Sequence, residues 1–129
     1  MALNGEEITF GKILDKYKGK EVVIDVWASW CRDCLVGYPK LHNLMKRTAG
    51  DNLVYLFLSI DEDDQKWKNA ITKFSMLGEH YRLPSGWKNP LSSYIALDWI
   101  PRYIVVNENG RITEPKKITS EEIEKVLKK

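Results

Sequence analysis

The sequence predicts a single α/β domain in which helices cover both faces of a central mixed sheet, giving three layers. Two near-continuous apolar runs, 22–26 and 53–60, predict buried strands, because neither offers a regular polar face to solvent. The amphipathic stretch between them predicts a helical crossover, which makes these strands parallel. Near the C-terminus, Asn109-Gly110 predicts a tight hairpin and therefore antiparallel pairing in the same sheet.

The composition is that of one ordinary globular domain. The chain has 129 residues, of which 43% are hydrophobic and 29% are charged. The net charge is +2, and no basic block occurs, so we expect no nucleic-acid partner. No apolar run approaches the roughly 20 residues that span a bilayer, so we expect no membrane insertion in this segment. We also expect the chain to be a monomer. The N-terminus lacks the basic and apolar regions of a signal peptide. We treat residues 1–129 as one domain, whether complete or excised from a longer chain.

The first half of the chain predicts two strands and their helices. Residues 8–17 favour a short helix or an ordered lead-in, followed by a strand over 21–27. A helix over 35–47 follows, and Pro39 inside it should kink it, because proline removes a helical hydrogen bond. The second strand covers 53–60.

The second half predicts further helices and the hairpin. The acidic residues 61–64 favour N-capping of a helix in which Trp67 and Phe74 belong to the core. Downstream, the patterns predict in order an irregular segment over 78–89, a short helix over 90–96, a strand over 102–107, its antiparallel return over 111–113, and a last helix opened by a capping box at Thr119.

The only two cysteines, Cys31 and Cys34, lie three positions apart where the first strand meets the central helix. Unpaired N–H groups and the helix dipole stabilise negative charge at such a turn, which favours the reactive thiolate. A disulfide between them would close a loop of only two intervening residues and would constrain the unfolded chain little. The pair therefore indicates redox cycling rather than structural cross-linking.

The residues around this pair resemble those of the thioredoxin superfamily. The motif Trp27-Ala28-Ser29-Trp30-Cys31-Arg32-Asp33-Cys34, the later Pro39, and Ile100-Pro101 before a strand carry the likeness over residues 8–127. Asp61 and Pro101 are 40 positions apart, and extra sequence between them is typical of TlpA- and ResA-type thiol–disulfide oxidoreductases. The resemblance implies a thioredoxin-like α/β/α fold.

The resemblance also implies roles for individual residues. Cys31 would attack a disulfide of a protein partner and form a mixed disulfide, and Cys34 would resolve it. Trp30 would flank Cys31 and shape the docking surface, together with Ile100 before the proline. Pro101 would be a cis-proline that faces the cysteine pair.

Asp25 matches the buried acid of thioredoxins, six residues before Cys31. In an apolar strand its carboxyl would have a raised pKa and could take the proton from Cys34; the alternative is a solvated or capping strand-end acid. The lysine that partners this acid in thioredoxins would fall at Phe57, which leaves Asp25 without a counter-charge. Some TlpA-like proteins use a glutamate after the second strand instead, and Glu62 is the candidate for it.

The dipeptide between the cysteines does not predict the reduction potential. Arg32 favours the Cys31 thiolate, whereas Asp33 opposes it but gains from the helix N-terminus. The resemblance favours a reductase that acts on disulfide-containing proteins, takes electrons from an upstream donor and needs no cofactor beyond its own disulfide. It also favours an extracytoplasmic, periplasmic setting in bacteria, with a cytoplasmic one as the alternative.

Two further hypotheses compete with the enzyme. His42 and His80 could join the cysteines as zinc ligands, but their spacing fits no metal signature, so we predict no metal. The chain could also be a thioredoxin-fold module that binds proteins or senses redox state without turnover. Reduction of a model disulfide distinguishes that module from an enzyme.

Overall fold

The structure, a computed structural model, describes residues 2–3, 5–48, 50, 52–83 and 100–117. Its helices and strands are α1 (Phe10–Lys16), β1 (Glu21–Trp27), α2 (Arg32–Thr48), β2 (Leu53–Ser59), α3 (Asp64–Lys73), β3 (Glu79–Arg82), β4 (Arg102–Val106) and β5 (Ile112–Lys117). The predicted helices over 90–96 and after Thr119 lie outside the described residues. Among the described helices, none combines the length and the hydropathy that a membrane crossing requires.

The strands form one mixed sheet in the order β3-β2-β1-β4-β5. β1 pairs in parallel with β2, and β2 with β3. β4 runs antiparallel to both β1 and β5. β1 is thus the central strand, and all seven of its residues are buried. The α/β class and the mixed sheet predicted from the sequence are confirmed.

Side-chain contacts place helices on both faces of this sheet. The ring of Tyr38 on α2 lies 6.0 Å from that of Phe57 on β2, so α2 covers the face to which Phe57 points. On the other face, the hydroxyl oxygens of Tyr17, which ends α1, and Tyr81 on β3 are 3.3 Å apart. The predicted three-layer arrangement is therefore present.

The third helix lies on the same face as α2. Arg82 of β3 sits over the Trp67 ring at 5.8 Å and shares its sheet face with the Phe57 row. The Asp63 side chain accepts a hydrogen bond from the Lys66 N–H at 3.0 Å and caps α3, which confirms N-capping in the acidic stretch. Trp67 is fully buried as predicted, but Phe74 is 39% exposed, so its assignment to the core is wrong. Phe74 is the residue that caps the C-terminus of α3.

The prediction of an irregular segment over 78–89 is wrong at its start, because Glu79–Arg82 forms β3. Gly78 leads into this strand with a φ of +106°, which non-glycine residues rarely adopt. A Cβ atom there would also come within 2.9 Å of the Phe57 ring and of the Tyr55 carbonyl oxygen. Glycine at this position lets the chain pass close to β2 just before β3 begins and pairs with β2.

The hairpin at Asn109-Gly110 is confirmed, with Gly110 at a φ of +81°. The Asn107 side-chain oxygen accepts hydrogen bonds from the N–H groups of Asn109 and Arg111, both at 3.0 Å. The returning strand is longer than the predicted 111–113 and continues to Lys117. α2 is also longer than predicted, beginning at Arg32 and containing Pro39 in its interior.

Candidate active site

The cysteine pair lies at the junction between β1 and α2. The Cys31 N–H donates to the Ala28 carbonyl oxygen at 3.1 Å and closes a tight turn after β1. Cys34 lies in the first turn of α2, and the two sulfur atoms form a disulfide across a Cα–Cα distance of 5.3 Å. Both residues are largely buried, at 7% and 5% exposure. The predicted pairing of these cysteines is present.

The surroundings of the Cys31 sulfur favour negative charge. The Cys34 N–H donates to Cys31 Sγ at 3.2 Å, and this N–H belongs to the first helical turn, whose donors have no partner inside the helix. The helix dipole adds positive potential at the same place. A thiolate formed at Cys31 on reduction would keep these interactions, which is how reactive cysteines acquire a low pKa.

The residues next to the cysteines differ in exposure. Trp30 is 58% exposed, and Arg32 and Asp33 are exposed as well. Ile100 and Pro101 are buried immediately before β4, and the peptide bond between them is cis. An exposed indole beside a shielded sulfur is suited to contact with another protein chain.

Asp25 is a buried acid on β1, as the sequence predicted, with 4% exposure. It pairs with Phe57 on one neighbouring strand and Tyr103 on the other, on the face covered by α2. Among the described residues, its Oδ1 atom has no hydrogen-bond partner. Burial raises the pKa of the Asp25 carboxyl to about 8, because the charged form loses its hydration. The neighbour of Asp25 on β2 is thus the uncharged Phe57, as the sequence predicted.

Glu62 takes a different position. It follows β2, its side chain is exposed, and it lies between the buried Asp61 and the helix cap Asp63. Burial thus distinguishes Asp25 from Glu62, whose side chain stays in contact with solvent.

The structure adds Asp61, which sequence reasoning assigned to helix capping. Asp61 is 1% exposed, and its carboxylate accepts hydrogen bonds from the Ser29 N–H at 3.0 and 3.1 Å and from the Ser29 hydroxyl at 2.6 Å. The Ser59 hydroxyl donates to the same carboxylate at 2.5 Å. Two features of the sequence could have indicated this cluster. A run of polar residues directly follows the second buried strand, and Ser29 lies between the first strand and the cysteines.

The two histidines belong to an aromatic cluster. His42 stacks on Tyr38 with ring centroids 5.5 Å apart, and His80 stacks on Phe57 at 5.1 Å. Burial lowers the pKa of His80, which favours its neutral ring. Within the described residues there is no group of three or more histidine, cysteine or acidic side chains that could hold a metal ion. The structure thus gives both histidines packing roles.

The chain is similar in sequence and structure to known proteins. A family model described as thioredoxin-like matches residues 19–112. The thiol–disulfide oxidoreductase ResA of Bacillus anthracis is 25% identical over 118 residues, which cover 90% of this chain and 66% of ResA. The C-terminal domain of a Bacteroides thetaiotaomicron protein assigned as a thiol–disulfide oxidoreductase is 27% identical with a TM-score of 0.82, covering 96% of this chain and 84% of that one. A Bacteroides vulgatus protein of the same assignment is 28% identical with a TM-score of 0.78, covering 95% and 77%.

Each match covers part of the length of the curated protein. The chain spans between 38% and 66% of the length of curated relatives that it matches.

Proposed function

This chain belongs to the thioredoxin-like family, and from that membership we propose that it is a thiol–disulfide oxidoreductase that reduces protein disulfides. The observation that carries the proposal is the Cys31–Cys34 disulfide at the start of α2, with the Cys34 N–H on Cys31 Sγ. A disulfide in this place can be opened to a dithiol whose first sulfur is held ready as a thiolate.

The proposed cycle transfers two electrons from the dithiol to a partner disulfide. The Cys31 thiolate attacks one sulfur of that disulfide, a mixed disulfide forms, and the partner's other sulfur leaves as a thiolate. Cys34 then loses its proton and attacks Cys31 Sγ, which releases the second partner sulfur and restores the Cys31–Cys34 disulfide. An upstream donor must supply two electrons for the next turnover.

Asp25 is the proposed acceptor of the Cys34 proton. The ordinary pKa of a thiol is close to the pKa of about 8 of the Asp25 carboxyl, so the ionised form of Asp25 can take the Cys34 proton at low cost, and the share of this form grows as the pH rises toward 8. Glu62 remains the alternative acceptor. The difference in burial between these two acids favours Asp25.

The partner chain would dock around the exposed indole of Trp30. We place Ile100 and Pro101 on the side of this surface formed by the start of β4, and Arg32 and Asp33 at its charged edge. The reductase direction and the extracytoplasmic location rest on the likeness to TlpA- and ResA-type proteins. A tagged full-length gene product recovered from the periplasmic fraction would support that location, and recovery in the cytosol would contradict it.

The test is reduction of insulin by the pre-reduced protein, with serine variants at each cysteine. We expect Cys31→Ser to abolish turnover, because no attacking thiolate remains. Cys34→Ser should also stop turnover but should accumulate a mixed disulfide, visible as a mass increase that a reductant reverses.

The two variants separate the enzyme from a binding module. If the wild-type protein reduces neither insulin nor a small disulfide, and Cys31→Ser changes nothing that is measured, the enzyme is excluded. A protein that still binds partners in a redox-dependent way would then be a sensing module.

A further inference from the structure

The turn that carries Cys31 is anchored from another strand. Asp61, after β2, accepts both the N–H and the hydroxyl of Ser29, at distances from 2.6 to 3.1 Å. Ser29 lies inside the turn that the Cys31 N–H closes onto Ala28. We propose that Asp61 is a positioning residue of the redox site, which fixes this turn so that the Cys31 sulfur stays at the N-terminus of α2. This inference rests on the proposed function.

Asp61 is itself held firmly by its neighbours. Its carboxylate accepts the Ser59 hydroxyl at 2.5 Å, and its own N–H donates back to Ser59 Oγ at 2.8 Å. The guanidinium of Arg82 on β3 donates to the Asp61 carbonyl oxygen at 3.2 Å. The acid thus connects the ends of β2 and β3 to the turn after β1.

Burial makes this anchor hard to replace. Asp61 is 1% exposed and Ser59 is fully buried, so water has little access to take over as acceptor. A buried donor that loses its partner carries an energetic penalty larger than the net gain of an ordinary hydrogen bond. Without the carboxylate, the Ser29 N–H and hydroxyl would have to turn toward other acceptors, and the turn would have to move with them.

Positioning and charge predict opposite effects on Cys31. If Asp61 acts by holding the turn, its removal lets the sulfur leave the Cys34 N–H and the helix end, and the pKa of the Cys31 thiol rises. If Asp61 acts only as a nearby negative charge, its removal lowers that pKa. The sign of the change therefore identifies the mechanism.

The experiment compares wild type with Asp61→Ala in the reduced state. This substitution removes both carboxylate oxygens, so the donors of Ser29 and Ser59 lose their acceptor, whereas an Asn side chain would keep one oxygen that can accept from Ser29. We expect the pKa of Cys31, measured from the pH dependence of iodoacetamide alkylation, to rise by about one unit, because the helix end and neighbouring donors are what depress it. Insulin reduction at a pH below the pKa of wild-type Cys31 should also slow, but by less than tenfold, because a more basic thiolate is more nucleophilic.

Asp63→Ala is the matched control, since it removes the same side chain and charge two residues along and damages the cap of α3. It should lower stability and leave the pKa of Cys31 unchanged. Ser29→Ala, which keeps the N–H hydrogen bonds, should shift that pKa in the same direction by less, and it serves as the test if Asp61→Ala does not fold. An unchanged or lowered pKa in both variants overturns the positioning role. A wild type that reduces no disulfide contradicts the proposed function instead.

Discussion

At the scale of single residues, Asp25 makes the stability of the fold depend on pH. Its carboxyl is buried beside Phe57, and burial raises its pKa from 3.8 to about 8. Between these two values the folded chain holds a proton that the unfolded chain has released. Stability therefore falls as the pH rises through this window, by about 1.4 kcal/mol per pH unit. A residue kept at this cost is a strong candidate for a functional proton acceptor.

We predict that Asp25→Asn removes this fall in stability with rising pH. His80, whose pKa is lowered by burial, contributes to the slope of wild type and variant alike, so the difference between their slopes from about pH 5 to about pH 7 reports on Asp25. The measurement is denaturant unfolding of the oxidised protein at several pH values. Glu62→Gln, which removes an exposed acid, controls for the loss of one carboxyl elsewhere on the chain. An equal slope in wild type and Asp25→Asn would contradict the raised pKa.

At the scale of elements, the strands differ in how much their own sequence reveals. β1 and β2 were predicted because every position is buried or nearly so, and the apolar runs record that burial directly. β3 was missed because its four residues are Glu-His-Tyr-Arg, a polar set without an apolar pattern. Three of these four are buried only through contacts with other elements, such as the stacking of His80 on Phe57. Tertiary contacts of this kind leave no periodic signal.

The passage into β3 depends on Gly78, and we predict that Gly78→Ala is strongly destabilising. The positive φ and the 2.9 Å approach to Phe57 and to the Tyr55 carbonyl each oppose a Cβ atom. Strained backbone and overpacking each cost about 1–3 kcal/mol. Gly19→Ala is the matched control, because Gly19 has a φ of +90° but open space around it. Equal losses of unfolding free energy in the two variants would show that the close approach contributes nothing.

At the scale of the whole molecule, the site divides into a local part and an assembled part. The cysteine pair was predictable because its spacing, turn and helix all lie within one contiguous stretch. The anchor between Ser29 and Asp61 joins residues 32 positions apart and exists only once β1 and β2 have paired. Each of those residues alone has an ordinary local explanation, in a turn or near a helix cap. Long-range hydrogen bonds at strand ends are therefore the feature of the site that could least be predicted from the sequence.

The direction of electron transfer is also a property of the whole molecule, because the redox state of the pair is linked to folding. If the folded chain favours the disulfide more than the unfolded chain does, the oxidised protein is the more stable form and the pair is the more reducing. For a reductase we therefore predict that the oxidised protein has the larger free energy of unfolding. Closure of the short loop alone accounts for about 2 kcal/mol of such a difference.

Denaturant unfolding of the oxidised and dithiothreitol-reduced protein at one pH checks this prediction. The difference in unfolding free energy converts to a potential at about 30 mV per 1.4 kcal/mol for a two-electron couple. Cys31→Ser, which cannot form the disulfide, should be equally stable with and without dithiothreitol and controls for effects of the reductant. A reduced form more stable than the oxidised one would mean that the fold stabilises the dithiol. The protein would then act as an oxidant, and the reductase direction would be wrong.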